Sequence, residues 1–436
     1  LAFTALISTL AGLAMGLVPA LQATRLELTK WLRLGTRDGG GRSSRARLSL
    51  LVLQTSLTVI LLAGSGMFLV SLRRVQDVPL GLEPDHVFRA TVVTAGRTYT
   101  DSERQTMYEQ LLHAAVGTPG VESAALATSL PFESSSGMRI ILPGRDSVPT
   151  GSDGLPWPYV NTVTAQFFKT IGTRLIVGRS FTDDDRGGSA PVVMVNETAA
   201  RLWWPGESAI GKCFKIGADS MPCAEVVGVV ENTKRFGIVE DEAVQFYAPL
   251  EQLTSEGAPD VLYVRPLRNT STFRAQLQRQ LQGAAPGLPY VAVQPLSDVI
   301  APRMQSWRVG AIMFGAFGVL AVILASVGLY GVLAYDVAQR QQELGVRLAL
   351  GASVGNVAGL VLSRMLFVVA TGSVIGLAAT LAGGRIVGPM LFQTSPYDPL
   401  ILGAVLLVVV LVSFLATLLP TARATRIDPA FALRGG

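Results

Sequence analysis

Four apolar runs, Leu48–Leu72, Val309–Ala334, Val354–Leu381 and Pro399–Leu419, are each long enough to cross a hydrocarbon core, which takes roughly 20 helical residues for about 30 Å. Lipid offers a bare peptide group no partner, so such runs fold as helices. Leu1–Ala20 is a further apolar run. With 49% hydrophobic and only 15% charged residues, the chain reads as an α-helical integral membrane protein. The long polar stretch between the first two complete runs, residues 73–308, makes a large domain on one side of the bilayer.

Charge tells which side. Seven basic residues (Arg25, Lys30, Arg33, Arg37, Arg42, Arg45 and Arg47) lie between Gln22 and Arg47 against only Glu27 and Asp38. Short loops rich in Lys and Arg stay in the cytoplasm. A basic loop squeezed between two spans is a topology signal, and no nucleic-acid partner is expected. Alternation then places residues 73–308 outside, 335–353 inside, 382–398 outside and the tail inside, where Arg423, Arg426 and Arg434 outnumber Asp428. Arg73 and Arg74, just after the first complete span, run against this pattern without reversing it.

The chain also repeats itself. VPALQATRLELTKWLR at 18–33 aligns with LPTARATRIDPAFALR at 419–434, Pro19 on Pro420 and Ala23-Thr24-Arg25 on Ala424-Thr425-Arg426. Leu1 follows no initiator Met, and the first residues read as the last span of an upstream module. The expected organisation is a truncated span at 1–20, a cytoplasmic interfacial helix and basic linker at 21–47, and a span at 48–72. An extracytoplasmic α+β core domain follows at 75–303, then a span at 309–334, a cytoplasmic helix at 335–353, spans at 354–381 and 399–419, and a cytoplasmic tail at 420–436. Within the linker, GTRDGGGRSSR at 35–45 has the composition of a flexible connector. No strong break beyond Pro302 interrupts the helical pattern from Ser297 into the second complete span, which predicts a continuous stalk. The recurring glycines of the spans suit close helix packing.

In the outer segment, strand patterns cover Val87–Thr94, Ser123–Thr128, Pro191–Val195, Ala224–Val230 and Val261–Arg265, and helical patterns cover Asp101–Val116, capped by Asp101, and Thr272–Gln282. A second subdomain is expected to insert around 130–160 and return near 240. The two cysteines, Cys213 and Cys223, both fall here at hairpin spacing. Outside the cytoplasm this favours a disulfide over two separately buried thiols, and the absence of a nearby histidine argues against a metal. GESAIGKC at 206–213 has the spacing of a phosphate loop but lacks the hydroxyl that would hold Mg²⁺, so it reads as a turn and any ATPase belongs to another chain. Asp183-Asp184-Asp185 reads as an exposed acidic turn, and Asn196-Glu-Thr as an accidental glycosylation pattern. His86 and His113 have no partners at metal spacing. No catalytic constellation, cofactor or metal site emerges.

The inner loop DVAQRQQELGVRLALGAS at 336–353 places Arg340, Glu343 and Arg347 on one helical face, with Glu343 able to pair with Arg347 and Gly351 placed as a stop. This segment resembles RRREIGIRxALGA, which follows the second span in MacB/FtsX-type ABC transporter permeases. ATRIDPAFALR resembles the end of the same family. VTAQFFKTIGTRLIVGRSFTDDD at 163–185, VVMVNETAARLWWPGESAIGK at 192–212 and EVVGVVENTKRFGI at 225–238 resemble its periplasmic core domain. The resemblance covers Leu48 to Gly436, and the repeat resembles duplicated permeases with two modules in one polypeptide.

It implies a non-catalytic permease in the bacterial plasma membrane whose helix Arg340–Leu350 meets a separate ATP-binding subunit. Arg340, Glu343, Gly345, Arg347 and Leu350 would be the coupling residues. ATP-driven closure of that subunit would be passed to the outer domain, for export or extraction of a substrate, without carriage through the spans. The nearly uncharged spans suit this; Arg364, about ten residues into its span, reads as snorkelling or packing. A second permease module, in the same polypeptide or as a homodimer, would complete a two-fold arrangement. Two other readings share the scaffold: a signalling regulator acting on an extracytoplasmic partner such as a cell-wall hydrolase, and an energy-independent membrane scaffold.

Overall fold

The computed structural model describes residues 41–93, 96–133, 136–145, 147–149, 157–268, 270, 272–284, 290–339 and 354–425. In chain order they form α1 (Gly41–Gln76), β1 (Phe88–Val92), α2 (Asp101–Val116), β2 (Val121–Ala127), β3 (Ser136–Gly137), β4 (Ile140–Ile141), β5 (Tyr159–Val163), α3 (Phe167–Ile171), β6 (Leu175–Gly178) and β7 (Val192–Asn196). These are followed by α4 (Glu197–Trp203), β8 (Cys213–Ile216), β9 (Cys223–Val230), β10 (Gln245–Pro249), β11 (Val261–Pro266), α5 (Phe273–Ala284), β12 (Val291–Pro295) and α6 (Leu296–Ile300). A 3-10 turn at Ala301–Met304 leads into α7 (Gln305–Gln339), and α8 (Val354–Val387) and α9 (Pro399–Thr425) close the described chain. Two compact units result, one within residues 64–316 and 384–398 and the other, among the described residues, of 41–63, 317–339, 354–383 and 399–425; α1 and α7 supply residues to both.

The first unit is built on one twelve-stranded mixed sheet. At one end β12, β1, β11 and β2 run side by side, each antiparallel to its neighbour. With α2 between β1 and β2 and α5 between β11 and β12, this is a split β-α-β pair. Both helices pack on one face, where Phe88, Tyr108, Leu111, Leu126, Leu262, Phe273, Leu277 and Leu281 make a core. The cap of α2 is Thr100, not Asp101: its hydroxyl accepts from the Glu103 amide, and the Glu103 carboxylate accepts from the Thr100 amide, a capping box that satisfies two otherwise orphaned donors.

Everything between β2 and β11 is an excursion, residues 128–260, larger than the insertion the composition suggests. Its strands extend the same sheet in the order β5-β10-β7-β9-β8-β4, with β5/β10 and β7/β9 parallel. Trp203, Phe214 and Phe246 anchor a second core there. A third core lies on the face opposite α2 and α5, where Phe167, Phe168, Tyr247 and Tyr263 pack around Val75, Leu296 and Ile300.

In the other unit, α1, α7, α8 and α9 pack through small residues. A Cβ on Gly372 would stand 2.6 Å from Thr55 Cβ, and one on Gly376 2.7 Å from Ser56 O. Ser56 Oγ donates to both Val52 O and Gly372 O, so a hydroxyl in a bundle of apolar helices stays satisfied. Leu51, Leu329, Leu333, Met365 and Val368 fill the space between. Among the described residues, four helices are long and apolar enough to cross a membrane: Arg47–Gln76, Leu296–Tyr335, Met365–Met390 and Pro399–Leu418. One boundary differs from the sequence expectation. Helix α1 begins at Gly41, so 41–45 are helical and not linker; the strong apolar run downstream carries weak helix formers into its first turn. Pro302 is absorbed by the single 3-10 turn between α6 and α7, where its missing amide costs little.

Candidate functional site

In the first unit the outer ends of two apolar helices and the loop between α8 and α9 converge on the third core. At the end of α1, Ser71 is fully buried and its Oγ accepts from the Phe392 amide at 2.7 Å. One turn on, Arg74 donates through Nη1 to the Gln393 carbonyl. At the start of α7, Trp307 donates through Nε1 to Met390 O at 3.1 Å. Trp307, Met304, Phe392, Val78 and Leu80 all pack against the core that holds Val75 and Ile300. Loop and helix ends are thus tied by backbone hydrogen bonds and by apolar packing, and we call this assembly the collar.

A second set of contacts joins the collar to the inserted lobe. Arg303, in the 3-10 turn, donates to Phe132 O, and the Phe132 amide donates to Arg235 O. Phe132 is fully buried and has φ +68°. The Arg235 guanidinium lies 3.3 Å from the centroid of the Tyr159 ring, a cation–π contact made stronger by desolvation. Glu240 shapes the loop that carries Arg235: its carboxylate accepts from the amides of Arg235, Phe236 and Gly237 at 2.5, 2.9 and 3.1 Å. Beside Phe132, Glu133 pairs with the buried Arg89 of β1 at 2.7 Å. Gly81 closes the ring, because a Cβ there would fall 2.1 Å from Asn232 O and its φ is +71°.

Arg74, Asp77, Lys234, Val239, Asp241 and Phe392 are among the residues that line an open cleft of about 680 Å³ at the collar. In the neighbouring core, burial pushes the Tyr247 phenol up to about 12. It stays neutral and shares its hydroxyl with Thr233 and Gln245. Among the described residues no group of three or more His, Cys, Asp or Glu could hold a metal ion. The arrangement ties helix ends to two loops through backbone groups.

The sequence-predicted coupling residues Arg340, Glu343, Gly345, Arg347 and Leu350 lie outside the described residues, as do residues 1–40, the tail from 426 and the side chain of Arg364. Cys213 and Cys223 are bonded to each other across the β8–β9 hairpin, with Cα atoms 5.6 Å apart. Asp185 of the acidic run accepts two bonds from Arg179, at 2.7 and 3.0 Å. Asn196 is fully buried; its amide group bonds Asn232, Ala243, Ala199 and Gln245, so it is a structural hub closed to glycosylation. None of the collar residues stood out as functional in the sequence. Arg74 alone left a signal, as a basic residue on the wrong side of the charge pattern.

Two family models match the chain. The MacB-like periplasmic core domain matches residues 55–296 and the FtsX-like permease C-terminal region matches residues 315–429. Among curated proteins, the macrolide export ATP-binding/permease protein MacB 1 of Aeromonas hydrophila is 28% identical over 289 residues, covering 63% of this chain and 43% of that protein. The probable export ATP-binding/permease protein MacB of Pseudomonas entomophila is 24% identical over 283 residues, covering 63% and 42%. The chain therefore spans less than half the length of these relatives. Among solved structures, the periplasmic region of MacB from Actinobacillus actinomycetemcomitans is 15% identical, with a TM-score of 0.36 over 52% of this chain and 95% of that one. Two family models that together run from the first complete span into α9, with four apolar helices and one large α/β domain among the described residues, fix its place: it belongs to the MacB/FtsX-type ABC transporter permeases, as a multi-pass inner-membrane protein with a large extracytoplasmic domain.

Proposed function

We propose that this chain is the permease component that carries ATP-driven motion from a separate nucleotide-binding subunit to the extracytoplasmic domain, for export or extraction of a substrate. The observation that supports it best is the collar, where Ser71, Arg74, Arg303 and Trp307 bind backbone groups of two distant loops. Such bonds couple helix displacement to the outer domain without any path through the spans. The printed names of the relatives speak of export and of ATP binding, which agrees with this direction of action.

In this reading Arg340, Glu343, Gly345, Arg347 and Leu350 form the cytoplasmic helix that meets the ATPase, and the disulfide Cys213–Cys223 is structural. The repeat at 18–33 and 419–434 supports a second permease module in the same polypeptide. The test is purification of the full-length protein from gently solubilised native membranes. An ATPase subunit is expected to co-purify and to be lost on Glu343→Lys with Arg347→Glu. Its absence from the native preparation contradicts the coupling and favours an energy-independent scaffold.

A further inference from the structure

Among the described residues only two that are not glycine have positive φ, Phe132 at +68° and Gln393 at +45°. At every other such position the chain uses glycine, as steric economy dictates. Gln393 lies in the collar and Phe132 at the edge of the inserted lobe that the collar binds, and the carbonyl of each accepts from an arginine on a membrane-entering helix: Phe132 from Arg303 at the root of α7, and Gln393 from Arg74 at the end of α1. Each turn is pinned on its other side too. The Phe132 amide donates to Arg235 O, and the residue before Gln393 is held by Ser71 through the Phe392 amide. Chance has little reason to put both strained backbones under the same kind of clamp. Strain of this kind persists where surrounding contacts over-determine it, and it gathers at switch regions.

We propose that these two turns are the yielding points of the collar and of its junction with the inserted lobe. Each is held in left-handed backbone conformation by its arginine, and displacement of the helix that carries the arginine releases the carbonyl and lets the turn relax toward negative φ. Helix movement is thereby converted into a discrete backbone change at 131–133 and 392–394, while the sheet stays rigid. The Phe132 turn hands the change to the inserted lobe through Arg235, and the Gln393 turn hands it to the loop between α8 and α9. This rests on the transmission reading above and assigns its moving parts.

Gln393 is the better site for a test because its side chain is exposed, so glycine there removes the strain and little else. Amide exchange is measured on the full-length protein in lipid nanodiscs, first without nucleotide. Arg74→Ala is expected to raise exchange at 391–394 at least tenfold, and Gln393→Gly added to it to restore protection to within about threefold. Arg73→Ala, one residue along, is the control and is expected to change nothing there. If Arg74→Ala leaves 391–394 protected while strands β2 and β11 exchange as in the native protein, or if Gln393→Gly fails to restore protection, the turn is not clamped and the proposal falls.

With the ATPase subunit bound, magnesium and ATP are expected to raise exchange at 130–133 and 390–394 at least threefold in the native protein, and to lose the effect at 390–394 in Gln393→Gly. No change in either turn during ATP hydrolysis overturns the proposal and leaves the transport reading standing. Absence of the subunit would instead strike that reading, and the nucleotide-free comparison still decides the clamp.

Discussion

Asn196 illustrates what a single side chain does in this domain. Its Oδ1 caps α4 through the Ala199 amide and accepts from the Gln245 amide, while Nδ2 donates to Asn232 and Ala243 O at 2.7 and 2.8 Å. Removing it strands several buried groups, each costing about 1–3 kcal/mol. Asn196→Ala should lower stability by about 3 kcal/mol, read as a fall in the unfolding midpoint of the detergent-solubilised protein. Asp185 behaves differently with pH. Its hydrogen bonds from Arg179 come first among the causes that hold its carboxyl below the usual range. A depressed folded pKa means that the pair stabilises above the ordinary aspartate value near 4 and that this contribution disappears as pH falls through the folded value. The midpoint difference between native protein and Asp185→Asn, about 1 kcal/mol at pH 7, should therefore shrink steadily below pH 4.

At the scale of elements, the sequence was most legible where β-branched residues run together or a polar helix has a clear start and stop. The pattern of α2 predicts its limits at Asp101–Val116, although the cap is one residue earlier because Thr100 and Glu103 satisfy each other. β7, VVMVN, is buried on both faces and was read from its run of β-branched residues, whereas β10 (QFYAP), just as buried, and β5 (YVNTV), nearly so, are mixed in composition and passed unnoticed. The collar was hidden for another reason. Arg74 and Gln393 are 319 residues apart and meet through a backbone carbonyl, which any sequence would supply. Two elements invite direct measurement. The β8–β9 hairpin closes a loop with a sequence separation of 10 through Cys213 and Cys223, so Cys213→Ser with Cys223→Ser should cost about 2–3 kcal/mol and leave β-structure by circular dichroism otherwise intact. In the bundle, Gly376 approaches Ser56 too closely for any Cβ. Gly376→Val should reduce the yield of protease-resistant, membrane-inserted protein, whereas Gly403→Ala, with nothing within 4 Å, should not.

At the scale of the whole molecule, four apolar helices and a single large α/β domain were readable from run length and charge alone, because lipid and water impose such different compositions. The outer domain is one continuous sheet with a long excursion between β2 and β11, and its attachment to helix ends relies on carbonyls held by Arg74, Arg303 and Trp307. ATP consumed on one side of the membrane is expected to change the collar on the other. Val239 lies at the collar cleft and is half exposed, and the two native cysteines are bonded to each other, so Val239→Cys accepts a single environment-sensitive fluorophore. In inverted native vesicles that retain the ATPase subunit, magnesium and ATP should change the emission of that probe, and Glu343→Lys with Arg347→Glu should abolish the change. An emission that stays constant while the bound subunit hydrolyses ATP would contradict the account.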